Sequence, residues 1–489
     1  MDELALHPKR WKAMPFIALA VSLIIMDATV VNVALPVIVR DLSLSASDAE
    51  WINSIYSLVF AALLITVGRI GDLYGRRKLL LAGIVVFGLA SVIASFSTSG
   101  ATLISARLLQ GVGGAMVLPA TLSTVNALFK GKERGIAFAI WGATIGGMAA
   151  VGPVVGGWLT TVSSWHWAFL INIPIVLIVI IGISLFIPET KDPHTQKGTD
   201  FAGISLSIVG LGLIVFGLIE GIRFGWWKTQ EVFSVGSFSW SWNLSPVVIA
   251  FIVGLSAMAL FVRIESQRAT AQKPILLDLN LLKIKSFRYG SIAALVVALG
   301  EFGMLFSLPL FLQGGLGYSA LRTGVLILAL AMGTFIISGG TPQLSARMGG
   351  RAVVRTGLAL EAIAILGLSF SFSLTVPSIV IAAWLFLYGA GVGLATAQLT
   401  SVILADVPVE QSGQASGLQS TFRQLGSSLG VALLGALFFT TLGSTRIQGA
   451  DIDGLLSAVR MTTLVAAFVI GFGLLATIAL PAQKNQNQL

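Results

Sequence analysis

The chain has 489 residues, of which 10% are Asp, Glu, Lys or Arg and 56% are apolar, and its mean hydropathy is +0.92. A soluble domain carries roughly 25% charged residues, so a soluble globular enzyme is excluded, and with Cys 0 and His 3 thiolate chemistry and most transition-metal sites go too. The remaining class is an all-α polytopic membrane protein, in which the net charge of +9 must be assigned to a membrane side before it is read as affinity for any polyanion.

A spanning helix needs about 20 apolar residues. Fourteen runs meet that length: 14–39, 51–67, 79–96, 101–122, 135–161, 167–187, 201–221, 246–262, 289–312, 324–344, 352–374, 378–399, 415–442 and 455–480. Runs this long are not barrel strands, which alternate over about ten residues. The first is too long for a secretory leader and holds Asp27. An even number of spans puts both termini on one side. With the termini in the cytoplasm, 22 of the 30 Lys and Arg residues fall in cytoplasmic segments, against 6 outside. That asymmetry sets the orientation and absorbs the net charge, so no nucleic-acid partner is expected.

Three connections are long. The cytoplasmic stretch 188–200 follows the sixth run. The outer stretch 222–245 carries Trp226, Trp227, Trp240 and Trp242, which suit an aromatic belt at the headgroups. The cytoplasmic stretch 263–288 contains a short apolar run from Pro274 that is expected along the membrane surface. These connections divide the chain into 1–192 with six spans, 193–272 with two inserted spans, and 273–489 with six. A six-plus-six frame suggests an internal repeat. A local echo supports it: shifting the Gly68–Lys78 loop by 274 residues places Gly75 on Gly349 and Arg77 on Arg351, while Asp72 falls on Ala346.

An ionisable side chain at mid-membrane costs about 2.5–3.5 kcal/mol even on insertion scales, so each needs a reason. Asp27 lies in the first run, Glu301 in the ninth and Glu361 in the eleventh. Apolar surroundings favour a neutral carboxyl, which lets such a group take up and release a proton. It also attracts a cation. Competition of the two for one charge is the physical basis of exchange. Arg107 lies in the fourth run, three residues before Gln110, and must have a partner; Asp27 is the natural one if the first and fourth helices touch. In the fifth run, Gly152, Pro153, Gly156 and Gly157 give small-residue pairs and a kink, a smooth face suited to sliding past a neighbour. The loop 68–78 is a tight turn with Gly68, Arg69, Asp72, Gly75, Arg76 and Arg77, where Asp72 can pair with the bases or cap a helix.

These motifs resemble the major facilitator superfamily, and within it the fourteen-helix drug:proton antiporters. The carriers of the resemblance are Gly68–Lys78, Arg107-Leu-Leu-Gln-Gly-Val-Gly-Gly, Gly152-Pro-Val-Val-Gly-Gly and Met26-Asp-Ala-Thr-Val-Val-Asn-Val-Ala-Leu-Pro36. The helix-5 pattern departs from the family at Met148, where a glycine is usual. The resemblance implies two six-helix bundles with two inserted helices and alternating access driven by protons. It implies a cytoplasmic latch around Asp72 and its arginines, and proton binding at Asp27 or at an acid of the ninth helix, here Glu301. The expected function is proton-coupled export of lipophilic, cationic compounds from the cytoplasm across the cell membrane, by a monomer with no cofactor beyond the proton gradient. Trp141, Phe302 and Asn32 are candidate cavity residues. Export of a lipid or native metabolite on the same fold is the first rival. A non-transporting receptor or scaffold is the second. No phosphate loop supports an ATP-driven pump, and no nucleophile–base pair supports a membrane enzyme.

Overall fold

The structure is a computed structural model that describes residues 9–44, 46–190, 200–235, 238–443 and 451–480. Its helices are α1 (Arg10–Asp41), α2 (Ala46–Tyr74), α3 (Arg76–Ser95), α4 (Gly100–Leu128), α5 (Gly131–Val162), α6 (Trp167–Leu170), α7 (Asn172–Phe186), α8 (Phe201–Phe224) and α9 (Pro246–Thr270). They continue as α10 (Lys285–Gly314), α11 (Ala320–Ser338), α12 (Thr341–Met348), α13 (Gly350–Ser371), α14 (Ser378–Ile403), α15 (Ser412–Leu442) and α16 (Ile452–Ala476). Among the described residues, 14 helical stretches are long and apolar enough to cross a membrane. The only sheet among them is a small hairpin of β1 (Ser234–Val235) and β2 (Phe238–Ser239) between α8 and α9.

Local chemistry sets many helix starts. Ser99, Asp200, Ser245, Ser319 and Asp451 each turn a side-chain oxygen onto an amide of the first turn. Apolar residues such as Leu177, Ile178, Ile181 and Leu185 of α7 stay exposed. In a bilayer these contact lipid rather than water. Backbone groups are satisfied within each helix, as a hydrocarbon solvent requires.

Three local expectations change. The sixth run is two helices, because Pro174 has no N–H and its ring clashes with the carbonyl four residues back, at Leu170, where α6 ends. The stretch 68–78 is no loop: α2 runs on to Tyr74, α3 starts at Arg76, and Gly75 alone makes the turn, at φ +117°. The equivalent stretch in the second half is also helical, as α12, and turns at Gly349 with φ +83°. Both glycines adopt a conformation that L side chains rarely reach, which is the physical content of the 274-residue echo. Finally, the run from Pro274 does not lie on a membrane surface, because Leu276 and Leu277 are buried and pack with the core.

The outer tryptophans divide. Trp227 and Trp242 are exposed, as a belt needs, whereas Trp226 stacks on Phe251 and Trp240 donates to the Leu244 carbonyl.

Helices α1 to α7 pack among themselves, as do α10 to α16, and α5 packs against α11 and α14 while α2 and α4 pack against α15. Helix α8 lies against α2 and α15 with α9 on its other side. At the Gly68–Gly413 contact the halves meet backbone to backbone: a Cβ added at Gly68 would stand 2.5 Å from the Gly413 carbonyl oxygen, and one at Gly417 would stand 2.6 Å from that of Leu64.

Candidate functional site

Asp27 faces inward from α1 and is fully buried. Its Oδ2 accepts from Arg107 Nη1 at 2.6 Å; its Oδ1 accepts from Gln110 Nε2 at 2.9 Å and from Asn172 Nδ2 at 2.8 Å. Arg107 and Gln110 are one helical turn apart on α4, so both reach the same carboxylate, and Arg107 Nη1 also donates to Gln110 Oε1 at 2.8 Å. Arg107 Nε donates to the Ile52 carbonyl at 3.2 Å, and its guanidinium lies 4.4 Å from the ring centre of Tyr56. Ser91 Oγ on α3 accepts from Gln110 at 2.9 Å and from Asn172 at 3.2 Å. The break that Pro174 imposes makes Asn172 the first residue of α7 and turns its amide onto Asp27. Five helices thus converge on one buried charge pair.

The sequence brings Asp27, Arg107 and Gln110 into view but not Ser91, Tyr56 or Asn172. A signal exists for Asn172, a lone amide in an apolar run two residues before a proline. A serine hydroxyl inside a helix gives none.

The second half holds a different arrangement. Glu301 on α10 is buried, and its Oε2 is 3.9 Å from Arg423 Nη2 on α15. Glu301 Oε1 and both oxygens of Glu361 on α13 have no hydrogen-bond partner among the described residues. A cavity of about 20 Å³ is lined by Glu301, Arg423, Gln419, Thr396 and Thr400 together with apolar residues of α10, α13 and α14. That is room for a water molecule. Tyr388 on α14 is buried too. Arg423 is visible in the sequence only as a cation inside a helix, with no role attached.

At the end of the molecule that carries the α2–α3 turn, Asp72 is fully buried. Its Oδ1 accepts from Gly413 N at 2.9 Å and from Arg76 Nη2 at 2.8 Å; its Oδ2 accepts from Gln414 N at 2.9 Å. Gly413 and Gln414 lie in the first turn of α15, so a carboxylate from one half caps a helix of the other, where the amides and the helix dipole favour negative charge. Arg76 Nη2 also donates to the carbonyls of Val409 at 2.8 Å and Glu410 at 3.3 Å. Asn126 Nδ2 donates to Ser412 Oγ at 2.7 Å, and Arg134 Nη2 donates to the Ser401 carbonyl at 3.0 Å. All these contacts between α2–α5 and the second half lie at one end. Gly68 permits the close approach beneath them. Arg69 is buried nearby. Arg77 turns away from the interface: its backbone N–H donates to Glu189 and its Nη2 to the Ser184 carbonyl at 2.7 Å, both within its own half.

The glycines of α5 serve two neighbours. A Cβ at Gly152 would stand 3.0 Å from the Met26 carbonyl oxygen and one at Gly156 2.9 Å from that of Val30, so this pair seats α5 on α1 beside Asp27, in its own half. The face turned to the other half is instead built by Gly146 and Gly147, which meet Thr334 and Phe335 of α11. Pro153 is interior to α5, and Thr160 donates to the carbonyls of Gly156 and Gly157. Of the candidate cavity residues, Trp141 is buried and its Nε1 donates to Thr121 Oγ1 at 3.2 Å, so it is a packing residue between α4 and α5 rather than a free stacking surface. Phe302 is half-buried and does not line the cavity beside Glu301. The side chain of Asn32 lies outside the described residues.

Together these features define a multi-pass membrane protein whose halves are clamped at one end and carry buried acids near mid-span. The chain matches the Major Facilitator Superfamily over residues 17–431 and belongs to that superfamily of membrane transporters. It is 35% identical to the "Probable actinorhodin transporter" of Streptomyces coelicolor, over 94% of this chain and 77% of that protein. It is 33% identical to "Puromycin resistance protein pur8" of Streptomyces alboniger, over 96% of this chain and 90% of that protein. It is 34% identical to "Multidrug efflux pump LfrA" of Mycolicibacterium smegmatis, over 88% and 81% respectively. The fold is shared with the human organic anion transporter MFSD10 (TETRAN), with TM-score 0.66, 15% identity, and 96% of this chain and 99% of that chain covered.

Proposed function

We propose that this chain exports small lipophilic, cationic compounds from the cytoplasm across the cell membrane in exchange for protons. Of the relatives at 33–35% identity, one is named a multidrug efflux pump, one a puromycin resistance protein and one a probable actinorhodin transporter. The observation that carries proton exchange is the presence of two buried acids with unpaired oxygens, Glu301, which lines a water-sized cavity, and Glu361. A buried carboxyl without a donor is stable only when neutral or when joined by a cation. The same site therefore accepts a proton in one conformation and yields to a positively charged substrate in the other.

Asp27 takes a different part. Both its oxygens are engaged, so it acts on Arg107 rather than on cargo. Protonating Asp27 would release Arg107 and loosen the packing of α1 on α4 and α5. The latch supplies the third element. Asp72 and Arg76 hold the cytoplasmic end shut, with both termini on that side, leaving access from outside. Opening it breaks the cap on α15 and exposes the acids to the cytoplasm. Alternating access then follows from two exclusive sets of contacts. The protein works as a monomer in this scheme, since each element lies within one chain, and it needs no cofactor beyond the gradient.

The test is transport by protein reconstituted in liposomes under an imposed pH gradient, read with a fluorescent lipophilic cation. Gradient-driven movement is expected for wild type and is lost in Asp27→Asn and in Glu301→Gln. Movement that ignores the gradient would sink the exchange reading. Export of a native metabolite on the same machinery is favoured by one observation, the relative named for actinorhodin. It predicts that the cation is ignored while gradient-driven transport of actinorhodin depends on the same acids.

A further inference from the structure

A second pair of buried carboxyls sits outside both sites, where the two inserted helices meet the clamped end. Asp200 starts α8: its Oδ1 accepts from Gly203 N at 2.9 Å and lies 3.2 Å from Arg268 Nη2 of α9. Glu265 of α9 is 1% exposed and Asp200 4%. Glu265 Oε2 accepts from the amides of Leu276 at 2.9 Å and Leu277 at 3.1 Å. The remaining oxygens, Asp200 Oδ2 and Glu265 Oε1, have no donor among the described residues, and they converge: a Cβ added at Gly203 would stand 2.6 Å and 2.5 Å from them. Two acceptors facing each other in a buried site repel unless one carries a proton.

The charge around them does not remove that need. Helix α9 offers Arg268, which already serves Asp200. The stretch after α9 offers Lys273, which is exposed, and Asp278, another acid. Helix α15 and the turn before it present the neutral Gln414 and Gln411; the α2 end next to α8 carries Arg69 and Asp72, the latter committed to Arg76 and α15.

The pair is tied to the latch through a short path. Glu265 holds the backbone at 276–277. The next residue, Asp278, donates its N–H to Gln414 Oε1 at 2.8 Å and accepts from Gln411 Nε2 at 3.1 Å. Gln414 is the residue whose own N–H bonds Asp72 Oδ2. Helix α8 itself packs against both α2 and α15. We infer that Glu265 and Asp200 share one proton, and that this proton tightens the Asp72 latch by keeping α9, the 276–278 segment and Gln414 in place. Loss of the proton leaves two carboxylates against one guanidinium. The strain is relieved by parting α9 from α8, which draws Asp278 away from α15. The inserted helices thereby serve as a sensor of cytoplasmic pH: low pH holds the cytoplasmic end shut, and high pH loosens it.

The effect on the latch rests on the latch reading above; the shared proton does not, so the test has two arms on the full chain in nanodiscs. The chain has no native cysteine, so Lys78→Cys and Arg347→Cys, both exposed, take spin labels without background. Between about pH 6 and about pH 9, the closed population of the labelled protein is expected to fall at least about twofold. Glu265→Gln, whose amide can donate to Asp200 while its carbonyl accepts from Leu276 and Leu277, is expected to stay closed throughout. A Glu265→Gln profile that matches wild type overturns the inference. Infrared difference spectra follow the proton itself. A protonated-carboxyl band lost in Glu265→Gln and shifted in Asp200→Asn (Asn also caps a helix) is expected; absence of that band in wild type overturns the shared proton. Asp72→Asn serves as control. If it leaves the spin-label distances unchanged, the latch reading fails and the infrared arm still decides the proton.

Discussion

Asp27 and Glu301 are both buried acids on the first helix of their half, yet their surroundings are opposite. Asp27 receives three donors from three side chains, one of them a guanidinium at 2.6 Å. Glu301 has a guanidinium only at 3.9 Å and keeps one oxygen without a donor, as does each oxygen of Glu361 among the described residues. A charge with all its partners in place is a structural asset, and removing one partner is expensive. A charge without partners costs energy as it stands, and neutralising it relieves that cost. The first half is built to hold its ion pair; the second leaves its acids short of donors, which is what the proposed exchange needs.

Arg107→Ala is expected to have the largest effect. It strands Asp27 as an uncompensated buried charge, and a loss of about 3–5 kcal/mol is expected, read as a fall in the thermal midpoint in detergent together with loss of transport. Asn172→Ala removes one donor from the same carboxylate and should cost about 1–3 kcal/mol, with transport weakened rather than abolished. Equal midpoints for this variant and wild type would mean that Asp27 does not depend on the break in the sixth span. Asp72→Ala removes a cap and a charge-assisted bond between the halves. An expected cost of about 1–2 kcal/mol falls on the closed state, so it appears as more labelling of a cysteine placed at the clamped end. Glu301→Gln sharpens the contrast from the other side: stability should change by less than about 0.5 kcal/mol, or improve, while coupling to the gradient disappears. A large destabilisation there would make Glu301 a second Asp27.

The smallest effect is expected in the outer loop. Arg223 donates to both oxygens of Glu231, at 3.0 and 2.9 Å, and these bonds hold the Glu231 carboxyl below its ordinary range. A carboxyl depressed by folding contributes stability above its unfolded pKa and loses it as pH falls through the lowered value. Glu231 is largely exposed, so solvent screens the pair. Glu231→Gln should leave transport at neutral pH unchanged and only flatten the acid limb of the stability profile.

Much of the site is legible in the sequence. Asp27, Arg107 and Glu301 stand out because ionisable residues inside apolar runs are costly, and Gly75 because its echo at Gly349 keeps the register of a repeat. The partners are not legible there. Ser91, Tyr56 and Asn172 reach the Asp27 pair from helices up to 145 residues away, and Arg423 meets Glu301 only through the packing of α10 on α15. The role of Trp141 is hidden for the same reason: an indole in a span is apolar by pattern, and only its bond to Thr121 identifies it as packing. The glycines of α5 stand out as a pattern, but their neighbours, α1 for one pair and α11 for the other, depend on how the helix is rotated.

What the sequence determined alone is the solvent and the frame. Hydropathy fixes fourteen spans because each apolar run must stay out of water, and Pro174 and Gly75 break and turn the backbone by local sterics. The partner of each buried charge comes instead from packing. A carboxylate's behaviour depends on the few donors within about 3 Å, and those are set by helix rotation and packing, not by position along the chain. Asp27 and Glu301 look alike in the sequence; the donors that surround one and avoid the other come from the fold.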